Sequence, residues 1–208
     1  MDLMHQPRFW LEDKRQEVLG FGGRAGQHEA AAKLVESALE AMGFQLFSFG
    51  VELNPELAKI LRSLQNGTSR MLRYRPDRVA VHPGRGSLLV EIKSEKGASP
   101  NFAIEFDAWD AAREWNQEAR RVLYVFVTLA DGMVLASWPD DLTPTRIFVP
   151  RSEDWKRISE RVSAVCPGAV LRRLPESRGS GTAFFTVPKA ALAPVDAALA
   201  GWYAGKVA

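Results

Sequence analysis

The 208-residue chain predicts an α/β fold in which a mixed central β-sheet is flanked by helices, followed by a C-terminal α+β extension. Three observations carry this: an amphipathic helical stripe at 31–42, a turn signal at 83–86 between two strand-like runs, and strands alternating with helices up to residue 130. The 46% hydrophobic share is ample for a core, and the 25% charged share is ordinary for a globular protein. No run approaches the ~18 apolar residues that span a bilayer, so no membrane helix is expected. Residues 1–15 carry no signal-peptide core. The single cysteine, Cys166, can build neither an internal disulfide nor a zinc cluster, and it reads as a buried structural thiol. A reducing, cytoplasmic compartment is the expectation.

Ala31, Leu34, Val35, Ala38, Leu39 and Met42 form one helical stripe, with Lys33, Glu36 and Glu40 opposite and Gly43 as the stop. The glycine-rich segment 20–26 before it lacks a Gly-Lys-Ser/Thr ending, so it reads as a hinge rather than a phosphate loop. Residues 44–49 alternate as a strand. Asn54-Pro55 caps a short helix over 56–65. Two strands follow, roughly Arg73–His82 and Ser87–Lys93, joined by Pro83-Gly84-Arg85-Gly86. Ser99-Pro100 reads as N-cap and first-turn proline of a long helix to about Arg120, with Ala108, Ala112, Trp115 and Ala119 on one face. Trp109 and Trp115 are expected in the core. Val122–Val127 is continuous enough to be buried on both faces. After Asp131-Gly132 come a strand at 133–138, a helix near 152–165, a basic Arg172-Arg173 stretch, a turn at 176–181, a strand at 184–187 and a terminal helix around 189–203.

The hairpin holds the chemistry. Reflection about Gly84 carries Asp77 onto Glu91, which makes the two carboxylates cross-strand neighbours with Cβ atoms ~4.5–5.5 Å apart. Lys93, two residues beyond Glu91, shares its face. Adjacent carboxylates repel, and a divalent cation relieves the repulsion. Together with an ammonium that orients water, such a cation supplies the parts for phosphodiester hydrolysis. The same three residues on an edge hairpin could also form a solvated ion cluster worth about 0–1 kcal/mol.

Pro76-Asp77, a gap of thirteen residues, and Glu91-Ile92-Lys93 on a strand resemble the PD-(D/E)XK nuclease superfamily, which includes restriction endonucleases and archaeal-type Holliday-junction resolvases. The resemblance spans about 26–130 and implies a restriction-endonuclease-like αβββαβ core, with 56–65 as an insertion. It implies that Asp77, Glu91 and the Ile92 carbonyl bind Mg²⁺ (or Mn²⁺) and that Lys93 positions or activates the water. Members often carry a further glutamate on the first helix. Glu29 is the candidate here, although it lies opposite the apolar stripe. Residues 1–25 would be an N-terminal arm, and 131–208 an extension providing substrate or dimer contacts.

The net charge of +2 conceals a dipole. Residues 70–96 hold seven basic and three acidic side chains, whereas 101–118 hold five acids and one arginine. Arg73, Arg75 and Arg78 would form a DNA-binding rim around the metal centre, RNA not being excluded. The acidic helix reads as a solvated face. Arg172, Arg173 and Arg178 beside Gly179-Ser180-Gly181 could add a mobile contact. His5, His28 and His82 show no metal-ligand spacing, and His82 reads as a solvated turn residue. The expected function is Mg²⁺-dependent DNA cleavage, with two-fold pairing into a homodimer as the arrangement that would let one active site per chain cut two strands. The alternatives are a catalytically inactive nucleic-acid-binding module of the same fold and an interaction protein with an incidental acid-acid-lysine set.

Overall fold

In the computed structural model of the chain, residues 21–49, 72, 74–97, 99–117, 121–175 and 181–204 are described. The helix expected at 56–65, Arg73, Ala119 and Arg178 lie outside them. Helix α1 (Phe21–Glu40) starts earlier than the stripe suggests. The supposed hinge is therefore corrected: residues 21–26 form the first turns of α1, because the stripe's docking propagates helix through glycines. Ala31, Val35 and Leu39, fully buried, are its contact line.

α1 ends in a Schellman turn. Phe44 N–H donates to the Leu39 carbonyl at 3.1 Å, and Gly43 N–H donates to the Glu40 carbonyl at 2.9 Å. Gly43 sits at φ 89°, and an added Cβ would lie 3.0 Å from His82 Nε2. Gly43→Ala should therefore lower unfolding stability by about 1–2 kcal/mol, measurable by urea denaturation.

Strands β1 (Gln45–Ser48), β2 (Arg78–His82) and β3 (Gly86–Glu95) form an antiparallel meander, and β5 (Val122–Thr128) runs parallel to β3. β6 (Met133–Ser137) and the short β10 (Ala193–Pro194) complete a sheet of order β1-β2-β3-β5-β6-β10. The mixed sheet flanked by helices is the predicted fold class. His82 pairs with Gly86 and Arg78 with Val90, so the hairpin is centred on Gly84 as the turn residues require. His82 is half-buried rather than solvated. Its Nδ1 accepts from Gly84 N–H at 3.1 Å, and its ring meets Phe44 edge-on at 5.3 Å.

The long helix expected from Ser99-Pro100 is a strand followed by a helix: β4 (Asn101–Glu105), then α2 (Phe106–Gln117). The N-cap signal lost to a tertiary pairing. Phe102 and Ile104 alternate inward while β4 ladders onto β9 (Phe184–Pro188). With β7 (Arg146–Val149) and β8 (Val170–Arg173) they form a second sheet, β4-β9-β7-β8. α3 (Trp155–Val165) is capped by Asp154, whose carboxylate accepts from Arg157 N–H at 3.1 Å. The terminal helix, α4 (Val195–Ala204), begins later than expected because 189–191 form a 3₁₀ turn and 193–194 pair with β6.

β5 organises the interior. Val122, Tyr124 and Phe126 face a core shared with α2, α3 and the second sheet; Leu123, Val125 and Val127 face α1 and α4. Trp109 and Trp115 lie in the first of these cores, as expected. The acidic helix α2 is not a solvated face. Asp107 and Asp110 are buried, and both accept from Arg161 of α3. Cys166 is buried and free, and burial pushes its thiol pKa up, which disfavours the reactive thiolate. Among the described residues no helix is long and apolar enough to cross a membrane.

Candidate active site

β3 is ten residues long and β2 only five, so the antiparallel ladder stops at the Arg78–Val90 pair. Among the described residues, β3 beyond that pair, 91–95, ladders with β5 alone. Leu89 N–H donates to the Arg121 carbonyl at 2.7 Å, and the Glu95 carbonyl accepts from Leu129 N–H at 2.9 Å. Odd-numbered residues of β3 therefore direct their backbone polar groups at β5, and the alternation turns those of Ile92 and Ser94 toward the edge where β2 has ended.

Asp77 occupies that edge. Its Oδ2 accepts from Ile92 N–H at 2.7 Å, in the place of a strand partner. The Ile92 carbonyl looks onto the same edge. The strict hairpin reflection places Asp77 opposite Glu91; the carboxylate turns instead to cap the ladder. Glu91 and Lys93 project from the opposite face to Ile92, above Tyr124. Lys93 Nζ donates to Glu91 Oε1 at 2.7 Å and lies 6.0 Å from the Tyr124 ring centroid. Burial works against the Lys93 charge, but the Glu91 carboxylate, with Asp77 beyond it, outweighs burial and raises the Lys93 pKa above the ordinary lysine range. The site thus holds an ammonium at neutral pH. Burial, then the Glu91 charge, also raises the Tyr124 phenol.

α1 supplies what the sequence pattern did not reveal. His28 Nε2 lies 3.8 Å from Asp77 Oδ1, and Gln27 Nε2 donates to Ser94 Oγ at 3.1 Å and to the Ser94 carbonyl at 3.3 Å. Glu29, the helix residue singled out above, is 71% exposed and pairs with Lys33. His28 and Asp77 are too far apart in sequence for a spacing rule; only the docking of α1 on the sheet unites them.

The arginine rim is divided. Arg75 stacks over the Phe49 ring at 5.3 Å. Arg78 donates from Nε to Glu36 Oε1 and from an Nη to the Asp77 carbonyl, both at 3.1 Å, which ties β2 to α1. Arg173 is a brace rather than a mobile contact, with bonds to the Glu153 and Arg151 carbonyls at 3.0 Å and its guanidinium over Trp155.

Among the described residues no three His, Cys, Asp or Glu side chains converge as a ready metal cage. The donors present are two carboxylates and an edge carbonyl, all hard oxygens, a set that fits Mg²⁺ completed by water. Tyr124 Oη is buried and has no hydrogen-bond partner among the described residues. Tyr124→Phe should therefore leave metal-free stability unchanged or raise it by up to about 1 kcal/mol. A thermal melt in EDTA checks this, and a clear loss would mean that the hydroxyl is hydrogen-bonded in the fold.

No protein-family model matches the chain, and no curated protein matches it. Among solved structures the chain is similar to Hjc, a Holliday junction resolvase from Archaeoglobus fulgidus, with a TM-score of 0.44 at 11% identity over 85% of this chain and 99% of that one. It is also similar to D212, a nuclease from a fusselovirus, with a TM-score of 0.37 at 11% identity over 97% and 98% of the two chains. With so few residues shared, any role for Asp77, Glu91 and Lys93 rests on the geometry of this chain.

Proposed function

We propose that the protein is a metal-dependent nuclease that hydrolyses DNA phosphodiester bonds at the overhang of β3. What supports this reading is the open strand edge: Asp77 binds the Ile92 amide there, and Glu91 and Lys93 pair with each other on the same overhang of β3. Asp77, Glu91 and the Ile92 carbonyl would hold Mg²⁺, with Mn²⁺ as a substitute. When bound, the ion supplies Lewis-acid polarisation of the phosphoryl oxygen and a water of lowered pKa.

The chain's own groups do the rest. Ile92 N–H fixes the Asp77 carboxylate through a short charge-assisted bond, so one ligand is oriented before substrate arrives. Lys93, held as an ammonium by Glu91, orients the attacking water and stabilises charge as the new P–O bond forms and the leaving oxygen departs. Of the arginine rim, Arg73 and Arg75 would grip the backbone without reading sequence, whereas Arg78 is engaged by Glu36. A buried free thiol suits a reducing cytoplasm. A two-fold pair of chains would present one centre to each strand of a duplex.

Incubation of the full chain with labelled duplex, single-stranded and branched DNA, in Mg²⁺ and in EDTA, tests the reading. Cleavage only with the metal is the expected result. Salt-dependent binding without cleavage on any substrate would instead make the protein a binding module.

A further inference from the structure

Beside the charged end of the hairpin lies an apolar row on the same sheet face, formed by the Val79–Leu89 pair. Phe49, at the end of β1, and Trp115, at the end of α2, wall it with their rings edge to face at 6.4 Å. The half-open groove has a volume of about 420 Å³. Its rim is basic: Arg121 lines it and is exposed, and Arg75 lies over the Phe49 ring. Phe49 is also bound to the catalytic hairpin, since its N–H donates to the Asp77 carbonyl at 2.8 Å. Leu89 is two strand residues from Glu91, about 6.7 Å along β3. The groove therefore begins two strand positions from Glu91, beside the proposed catalytic centre.

An aromatic, apolar slot with guanidinium groups at its mouth matches one unit of a nucleic acid: a base against the rings and its flanking phosphates at the arginines. A base inside a duplex has both faces covered by its neighbours, so only an unpaired base can lie against the half-buried Phe49 ring and the Val79–Leu89 row, with Trp115 as the buried back wall. Building on the nuclease reading of Asp77 and Glu91, we propose that this groove receives an unpaired base next to the scissile phosphate. The preferred substrate is then single-stranded, frayed or bulged nucleic acid rather than continuous duplex.

The test uses the full chain in EDTA with oligonucleotides carrying 2-aminopurine at scanned positions, either unpaired in a bulge or fully paired. Stacking on the groove's rings quenches the fluorescence of the unpaired probe at one position and not that of the paired probe. Val79→Trp, which fills the slot, abolishes the quench and lowers the preference for bulged over paired DNA about tenfold. Phe49→Leu, which keeps apolar volume but removes a ring, lowers it in the same direction and serves if Val79→Trp misfolds. Absence of a quench in the wild type, or an unchanged preference in the folded variant, overturns the proposal and leaves the groove to another segment or a second copy of the chain. Failure of the nuclease reading is seen separately, as absence of cleavage in Mg²⁺ while the quench persists.

Discussion

Asp77→Asn is expected to fold normally yet lose metal-dependent cleavage by about 10³-fold. Asparagine keeps an oxygen that can accept from Ile92 N–H, so the cap on the strand ladder survives. What disappears is the negative charge that would hold the cation. A metal's Lewis-acid contribution of several kcal/mol corresponds to about three powers of ten at ~1.4 kcal/mol each. Asp77→Ala should match that loss of activity and add about 1–3 kcal/mol of destabilisation, because the buried Ile92 amide is left without its acceptor. Glu91→Gln should resemble Asp77→Asn in activity, and Lys93→Ala should cost ~10²–10⁴-fold. DNA binding in EDTA should be retained in both carboxylate variants, since each removes a negative charge near the phosphate path. Single-turnover cleavage beside urea denaturation separates these effects. An Asp77→Asn enzyme that cut DNA at the wild-type rate would remove Asp77 from the metal site.

Arg161→Ala is expected to destabilise the fold by about 3 kcal/mol or more without touching the candidate site. The Arg161 side chain is 25% exposed, and its two carboxylate partners, on Asp107 and Asp110, are 11% exposed, so the cluster is more buried than an ordinary surface ion pair. Removing the guanidinium strands buried negative charge on α2, the situation in which breaking an ion pair costs about 3–5 kcal/mol. Arg157, 3.8 Å from Asp107, softens the loss at that carboxylate. Replacing Arg161, Asp107 and Asp110 together by apolar residues of similar size should recover most of the stability. Urea midpoints measure both variants. A change below about 0.5 kcal/mol for Arg161→Ala would show the cluster to be hydrated surface, as the composition of the helix alone suggests.

How much was readable in the sequence differs from element to element for physical reasons. The hairpin register was legible because Pro83-Gly84-Arg85-Gly86 is a turn whose chemistry is local, and a turn sets every pair that follows it. β5 was legible because a strand covered on both faces must be apolar throughout, and all seven of its residues are buried. β4 was not. Ser99-Pro100 is a sound local helix signal, but Phe102-Ala103-Ile104 gains more by laddering onto β9, a partner some eighty residues away. Asp107 and Asp110 looked solvated because their partner, Arg161, lies on another helix. His28 came to Asp77 by the same kind of long-range docking.

The sequence by itself determined the mixed α/β class, the hairpin centred on Gly84, and the identity of Asp77, Glu91 and Lys93 as the residues to watch. These follow from periodicity, turn chemistry and charge, all of which act over a few residues. Only the tertiary structure decided that β2 stops short, that Asp77 caps the buried Ile92 amide, that Lys93 donates to Glu91, and that Phe49 and Trp115 wall a groove beside them. Those features depend on where one element ends against another. Long-range packing sets such endpoints, and no local pattern encodes them.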